Sequence, residues 1–318
     1  MIARKLFCAA ALFALLAKGA YADDTLKVAV GQLGLWAVSG PTLGQRAGIF
    51  KKHGLVLDIF GTSGGGETLQ AVISGSADLT VGIGTAAVLR AYSKGAPICV
   101  IGANFTGAGD LYWYVRAASP IKRLEDASDK TTIAYSASGS SSHNVVLAFI
   151  QELGLKGLPA ATGTQPSTLT QVMSGQIDIG WGAPPFGLKE VAEGKIRIIA
   201  NGNDVPSLRT QTVRVDMVNA SVLKDRKDVV LRFVRAYRET LAWMFTSADA
   251  VKIYAEEFKV PAELAVMTRD KFQTREAMRN DRLSSLDAVM ADAVTLKFLD
   301  KTLTPAQLAD LIRIPPKE

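Results

Sequence analysis

The stretch Val72–Gly82 returns one hundred positions later as Val172–Gly182, with Val, Ser, Gly, Asp and Gly at matching places and Leu69 answered by Leu169. In each copy a helical stretch closes at a glycine, Gly75 or Gly175, and an Asp, Asp78 or Asp178, opens a short apolar strand. Glycine suits a helix end because the left-handed cap there carries no Cβ penalty. A chain that builds this junction twice is expected to fold as two similar lobes. The flanking pattern says of what kind. Strand-like Leu26–Val30, Leu55–Phe60, Leu79–Val81 and Ile98–Gly102 alternate with helical Leu43–Lys52, Glu67–Ser74 and Ala86–Ser93. That alternation predicts βαβ units, an α/β fold with parallel pairing.

The last third is different. Val230, Phe233, Val234, Tyr237, Leu241, Met244 and Phe245 recur at helical spacing, with Arg232, Arg235 and Arg238 opposite. This predicts an amphipathic helix on the surface of something already built. Ser247–Phe258 and Leu286–Leu299 also read as helices, and Thr304-Pro305-Ala306-Gln307 has the form of a capping box.

The first residues look like an export signal. Arg4 and Lys5 precede the apolar run Leu6–Ala17, which is too short to span a bilayer, and Ala20-Tyr21-Ala22 is an A-x-A site. Residues 1–22 are expected to be a signal peptide cleaved after Ala22. Its loss removes three basic residues, Arg4, Lys5 and Lys18, and takes the net charge from +6 to +3. So weak a balance gives no footing for nucleic acid or an anionic membrane. Cys8 leaves with the signal, so Cys99 has no partner for an internal disulfide. The lobes must rest on apolar cores, which 48% apolar residues can supply.

Catalytic and cofactor motifs are incomplete. Gly61-Thr62-Ser63-Gly64-Gly65 fits the G-x-S-x-G nucleophile elbow, between a strand and a helix. An exported serine hydrolase on Ser63 is therefore the alternative reading, but His143 is the one histidine after Ser63, and few strands precede it. Gly82-Ile83-Gly84-Thr85-Ala86-Ala87 fits a dinucleotide fingerprint without the acid expected about 20 positions on. His53, His143 and Cys99 are too few ligands for zinc. His53 follows Lys51-Lys52 at a helix end, where a surface cation suits the dipole. No cofactor, metal or enzymatic activity is expected.

What remains is a set of loops that open helices. Ser63–Gly66 precedes Glu67, Gly84-Thr85 precedes Ala86, and Ser138–Ser142 precedes Asn144. Each offers free backbone N–H groups and small hydroxyls at the positive end of a helix. One such end is a cap and no more. Three in two repeated lobes suggest an anion held between them. A micromolar ligand needs only about 8 kcal/mol, within reach of several hydrogen bonds of about 1.5–3 kcal/mol each. Trp36, after the first strand, and Trp181, at the end of the repeated strand, could wall such a cleft, with core packing the rival reading. Trp113 and Trp243 are expected in the core.

Tyr135-Ser136-Ala137-Ser138-Gly139-Ser140-Ser141-Ser142-His143-Asn144 resembles the serine-rich loop of periplasmic aliphatic-sulfonate-binding proteins, and Ser119-Pro120-Ile121-Lys122 resembles their connector. The resemblance runs from about Leu26 to Ile312 and extends to the wider nitrate/sulfonate/taurine and thiamine-precursor-binding family. It implies a type II periplasmic binding fold, two α/β lobes joined by two crossing strands, with a helical C-terminal part. Residues 23–112 and 214–318 would form the first lobe and 113–213 the second, with crossings at Tyr112–Arg116 and Thr212–Asp216. It further implies a monomer in the periplasm that hands a small anionic organic solute to an ABC permease in the inner membrane. A sensing receptor would have the same sequence features. By position, Ser138, Ser140, Ser141 and His143 would reach the solute, with Gly84 and Thr85 from the second glycine loop, and Ser63, Gly64, Trp36 and Trp181 beside them. Relatives often carry an acid beside the position of Thr85 and a Trp-acid-Pro run where this chain has Ala183-Pro184-Pro185. On that ground a ligand ammonium lacks a partner and taurine is disfavoured. The fungal pyrimidine synthases of the same superfamily use a His- and Cys-rich site that is missing here.

Overall fold

The computed structural model describes residues 23–317, so the expected signal peptide lies outside the described residues. Strand β1 (Asp24–Gly31) pairs in parallel with β2 (Leu55–Thr62), Leu26 opposite Leu57, and with β3 (Leu79–Gly84), Val28 opposite Leu79. Helices Gly65–Ile73 and Thr85–Ser93 connect these strands to one another and to β4 (Ile98–Thr106). The helix expected over Leu43–Lys52 is two, Gly40–Arg46 and Ile49–Lys52, because Gly48 between them turns left-handed at φ +73°.

The chain then builds β5 (Tyr112–Arg116), β6 (Thr132–Tyr135), β7 (Leu158–Ala161), β8 (Gly180–Gly182) and β9 (Ile196–Asn201) in a second lobe. It returns as β10 (Thr212–Asn219), antiparallel between β3 and β4. The first sheet therefore runs β2-β1-β3-β10-β4. In the second lobe β8-β5-β9 and the parallel pair β6-β7 are separate sheets joined by a bridge, Ala134 N–H donating to Ile179 O at 2.8 Å. Through that bridge the lobe reads β7-β6-β8-β5-β9, the order of the first with β5 in the place of β10.

The sequence repeat marks the junctions into β3 and β8, and its aspartates explain it. The Asp78 carboxylate accepts from Lys27 N–H at 2.8 Å, and that of Asp178 accepts from Thr132 N–H at 2.8 Å. Asp78 thus clamps β1 to the start of β3, and Asp178 clamps β6 to the start of β8. Gly75 and Gly175 take φ +77° and +80°, as helix-closing glycines should.

Tyr112–Arg116 and Thr212–Asp216, the crossings that the resemblance implies, are not where the chain passes between the lobes. Those strands are β5 and the start of β10, each inside its sheet, because their backbone and almost all of their side chains are buried and need neighbours on both edges. The crossings are segment 107–111 and segment 202–211, the latter mostly two short 3-10 helices, Gly202–Asp204 and Ser207–Thr210, and the two lie side by side. Gly107 N–H donates to Gln211 O at 2.9 Å and Gly202 N–H to Leu111 O at 2.9 Å.

The long helix is Lys227–Thr246, and it buries Val230, Phe233, Val234 and Tyr237 against Trp36, Phe50 and Tyr254. Its arginine face is not a bare solvated surface. Arg232 holds Asp24 and the carbonyls of His53 and Gly54, and Arg238 holds the carbonyls of Pro315 and Pro316. The helix thus ties down both ends of the described chain. Trp113 is in the second lobe's core, edge-on to Phe149 at 4.8 Å, and Trp243 is half-buried against the first. No described helix is long and apolar enough to cross a membrane.

Candidate functional site

Where the lobes meet, beneath the paired crossings, lies a cavity of about 70 Å³. The first lobe lines it with Gln32, Gly64, Gly65 and Gly82–Gly84, the second with Ser136, Ser140–Ser142 and Trp181, and the crossing region with Asp110, Leu111 and Arg214. Three helices of nine, nine and eleven residues point their N-termini here: Gly65–Ile73, Thr85–Ser93 and Ser141–Gln151. A wider chamber of about 490 Å³ opens beside it, sharing Gln32 and Leu35. The smaller cavity is the candidate site, because the polar groups converge there.

The lobes touch across it. A Cβ on Gly84 would stand 2.7 Å from Gly139 O and 3.2 Å from Ser141 N, so only glycine lets the first lobe approach the serine loop this closely. That loop is internally braced. Ser140 caps its helix, its hydroxyl accepting from His143 N–H at 3.2 Å. The Ser142 hydroxyl accepts from Ser136 N–H at 3.0 Å and pairs with the hydroxyls of Ser136 and Ser140. Ser141 is left facing the cavity, its hydroxyl 3.5 Å from Arg214 Nη1.

Of the residues expected at a ligand, Gly64, Gly84, Ser140, Ser141 and Trp181 line the cavity. The others are held elsewhere. Trp36 is fully buried in the first core, edge-on to Tyr254 at 5.0 Å. Thr85 donates its hydroxyl to Thr212 O at 2.7 Å, pinning its helix to β10. Ser138 is exposed. His143 braces the loop from behind: Nδ1 accepts from Gly139 N–H at 3.1 Å, and the ring stacks on Tyr135 at 4.1 Å and meets Phe298 edge-on at 5.6 Å. Burial lowers its pKa, which keeps Nδ1 free to accept. Ser63 is exposed and donates to the Glu67 carboxylate at 2.6 Å, which holds that carboxyl below its ordinary range. The imidazole an elbow would need is absent, since His53 pairs with Glu239 and His143 is engaged in its own loop.

Sequence reasoning missed the charged pair. Arg214 Nη2 donates to Asp110 Oδ2 at 2.5 Å, with side chains 8% and 3% exposed, and the guanidinium lies over Phe105 at 4.4 Å. In the sequence Arg214 falls within the expected crossing Thr212–Asp216, at the start of the chain's last third, and is not among the expected ligand residues. The available signal was a lone Arg at the apolar end of a strand that is buried throughout. Arg214 Nε, Asp110 Oδ1 and Trp181 Nε1 are buried and have no hydrogen-bond partner.

No curated protein matches the chain in sequence. Among solved structures, the alkanesulfonate-binding protein SsuA from Xanthomonas axonopodis pv. citri, bound to MOPS, superposes with a TM-score of 0.75 at 19% identity, over 92% of this chain and 98% of that one. A Candida albicans protein described as having the generic periplasmic binding protein fold gives 0.73 at 15%, over 93% and 98%. The desulfurization enzyme DSZB gives 0.61 at 16%, over 92% and 96%. At these identities the likeness establishes the fold, which is that of periplasmic binding proteins. The model of the NMT1/THI5-like family matches residues 38–250, most of both lobes and the long helix behind them, and the chain therefore belongs to that family.

Proposed function

We propose that the protein is the solute-binding component of an ABC-type importer, which takes a small, sulfonate-like organic anion between its lobes and presents it to an inner-membrane permease. The observation that carries this reading is the convergence of three helix N-termini, from both lobes, on one cavity beside a buried Arg214. Each helix end stabilises a nearby anion by roughly 0.3–1 kcal/mol when exposed and up to about 2 when partly buried. Direct hydrogen bonds to a charged group add about 1.5–3 each. The SsuA likeness supports the anion's class, and the expected signal peptide supports a periplasmic location. The cavity's serines have no imidazole beside them, which supports capture over turnover.

The test is a thermal-shift panel of sulfonates, nitrate, carboxylates and pyrimidines. A true solute raises the melting temperature in proportion to the logarithm of its concentration. Small-angle scattering with the same compound should show a smaller radius of gyration, as lobe closure requires. A panel without any shift, with ester or sulfonate turnover found in its place, would reject the proposal.

A further inference from the structure

We propose a second anion site, outside the cleft, that takes a free tetrahedral oxyanion of the phosphate or sulfate class where the second crossing meets the first lobe. A pocket of about 260 Å³ lies there. Asn203 and Arg209 line it from crossing 202–211, and Arg279, Arg282 and Ser284 from the segment ahead of helix Leu286–Thr295. Of its nine lining residues Ala277 alone is apolar. It shares no lining residue with the cleft cavity, so the inference stands independently of the solute-binding reading.

The pocket is rich in donors that nothing in the protein uses. Three arginines share it with one glutamate, Glu276. That carboxylate accepts from Arg279 Nη1 at 2.9 Å. Asp281, just outside the pocket, accepts from the same guanidinium at 3.0 and 3.2 Å. Arg279 is therefore the arginine that both acids hold. Arg282 makes no hydrogen bond or ion pair with any described residue, and meets Asp281 only through longer-range attraction. Arg209 gives its Nε to Asn203 O at 2.7 Å, which leaves its two terminal nitrogens without a described partner. Asn203 is anchored through Oδ1, which accepts from Ala108 N–H at 2.8 Å, and its Nδ2 is unused. Ser284 is anchored through its N–H, which donates to the Thr212 hydroxyl at 2.8 Å, and its own hydroxyl is unused.

Two guanidinium forks, an amide and a hydroxyl in one pocket form a donor set for a compact oxyanion, because the planar fork of arginine matches phosphate oxygens bidentately. The volume is several times the ~30 Å³ share of one water, enough for the ion and part of its hydration. The ion is free and not a lipid headgroup, since the net charge of +3 expected after loss of the signal gives little pull toward an anionic bilayer.

Calorimetry with inorganic phosphate and with sulfate, at an ionic strength held constant by sodium chloride, tests this. At least one of the two ions should bind, and Arg209→Gln combined with Arg282→Gln should weaken it about tenfold or more. In the natural protein the same ion should protect Arg209 and Arg282 from phenylglyoxal while the exposed Arg90 continues to react. Binding that survives in the glutamine variant, with neither arginine protected, places the ion elsewhere, the cleft included, and overturns the site. An effect that chloride reproduces is screening and overturns it too. Co-sedimentation with phosphatidylglycerol vesicles, without binding of either free ion, overturns the free oxyanion in favour of a headgroup. Should the variant not fold, the protection pattern in the natural protein decides alone.

Discussion

Thr68 and Thr168 make the same two hydrogen bonds, one in each lobe. The Thr68 hydroxyl pairs with that of Thr62 at 2.5 Å and donates to Gly64 O at 2.9 Å. The Thr168 hydroxyl pairs with that of Thr162 at 2.6 Å and donates to Thr164 O at 3.0 Å. Both threonines are fully buried. Each fastens the end of a strand to the helix that follows. In the first lobe that helix start lines the cavity.

Thr68→Val and Thr168→Val should therefore each destabilise by about 1 kcal/mol, the net worth of a buried hydrogen bond. The two sites share no partners, so the double variant should lose about 2 kcal/mol. Urea titrations compared at equal slope measure it. A double variant no less stable than the singles would show that the two junctions do not act independently.

Gly84→Ala puts a methyl against Gly139 O and Ser141 N, both backbone atoms that cannot swing aside. The conflict arises only when the lobes meet. Overpacking of this kind costs about 1–3 kcal/mol, and here it falls on closure. The affinity for the best anion of the panel should drop roughly tenfold to a hundredfold, and the scattering curve with that anion present should stay close to the open form. A ligand-induced contraction equal to that of the natural protein would contradict the contact.

Neighbouring serines should part company. Ser140→Ala removes a helix cap and should cost about 1 kcal/mol of stability. Ser141→Ala removes a hydroxyl whose nearest partner is Arg214, at 3.5 Å across the cavity, and should leave stability within about 0.5 kcal/mol while weakening solute binding. Melting curves and calorimetry on the two variants separate these effects. The reverse pattern would remove Ser141 from the site.

Acid should loosen the serine loop through His143. Burial sets its folded pKa below the ordinary 6.5, so the neutral ring is the folded form. Its contribution to stability is complete above that ordinary value and declines as pH falls, since the unfolded chain takes up the proton first. Protonation also removes the Nδ1 acceptor that holds Gly139 N–H. Stability followed from about pH 8 to 5 should fall on the acid side, and His143→Phe should flatten that limb. An unchanged slope in the variant would assign the acid sensitivity to another group.

How far the amino-acid order reaches is visible in particular residues. The repeated glycine-aspartate junctions, the alternation of strands and helices and the amphipathic Lys227–Thr246 were all legible, because cap geometry and hydrophobic period are local properties. The repeat of Thr62 and Thr68 in Thr162 and Thr168 was equally open to inspection, and its meaning was not, since it lies in bonds between a strand end and the helix after it. The sites of crossing were misplaced by a few residues, because burial on both faces, which makes β5 and β10 central strands, depends on what packs against them.

The sequence by itself determined two α/β lobes and three helix-opening loops rich in small residues. Only the tertiary structure decided which of those groups face a solute. Ser138 and Ser140 are two positions apart, and one is exposed while the other lines the cavity, because the left-handed Gly139 between them, at φ +82°, turns the loop before the helix begins at Ser141. Asp110 and Arg214 are far apart in the chain and become partners only where the two crossings run together. A contact between distant residues leaves no periodic trace in a single sequence, and this one places the buried charge of the site.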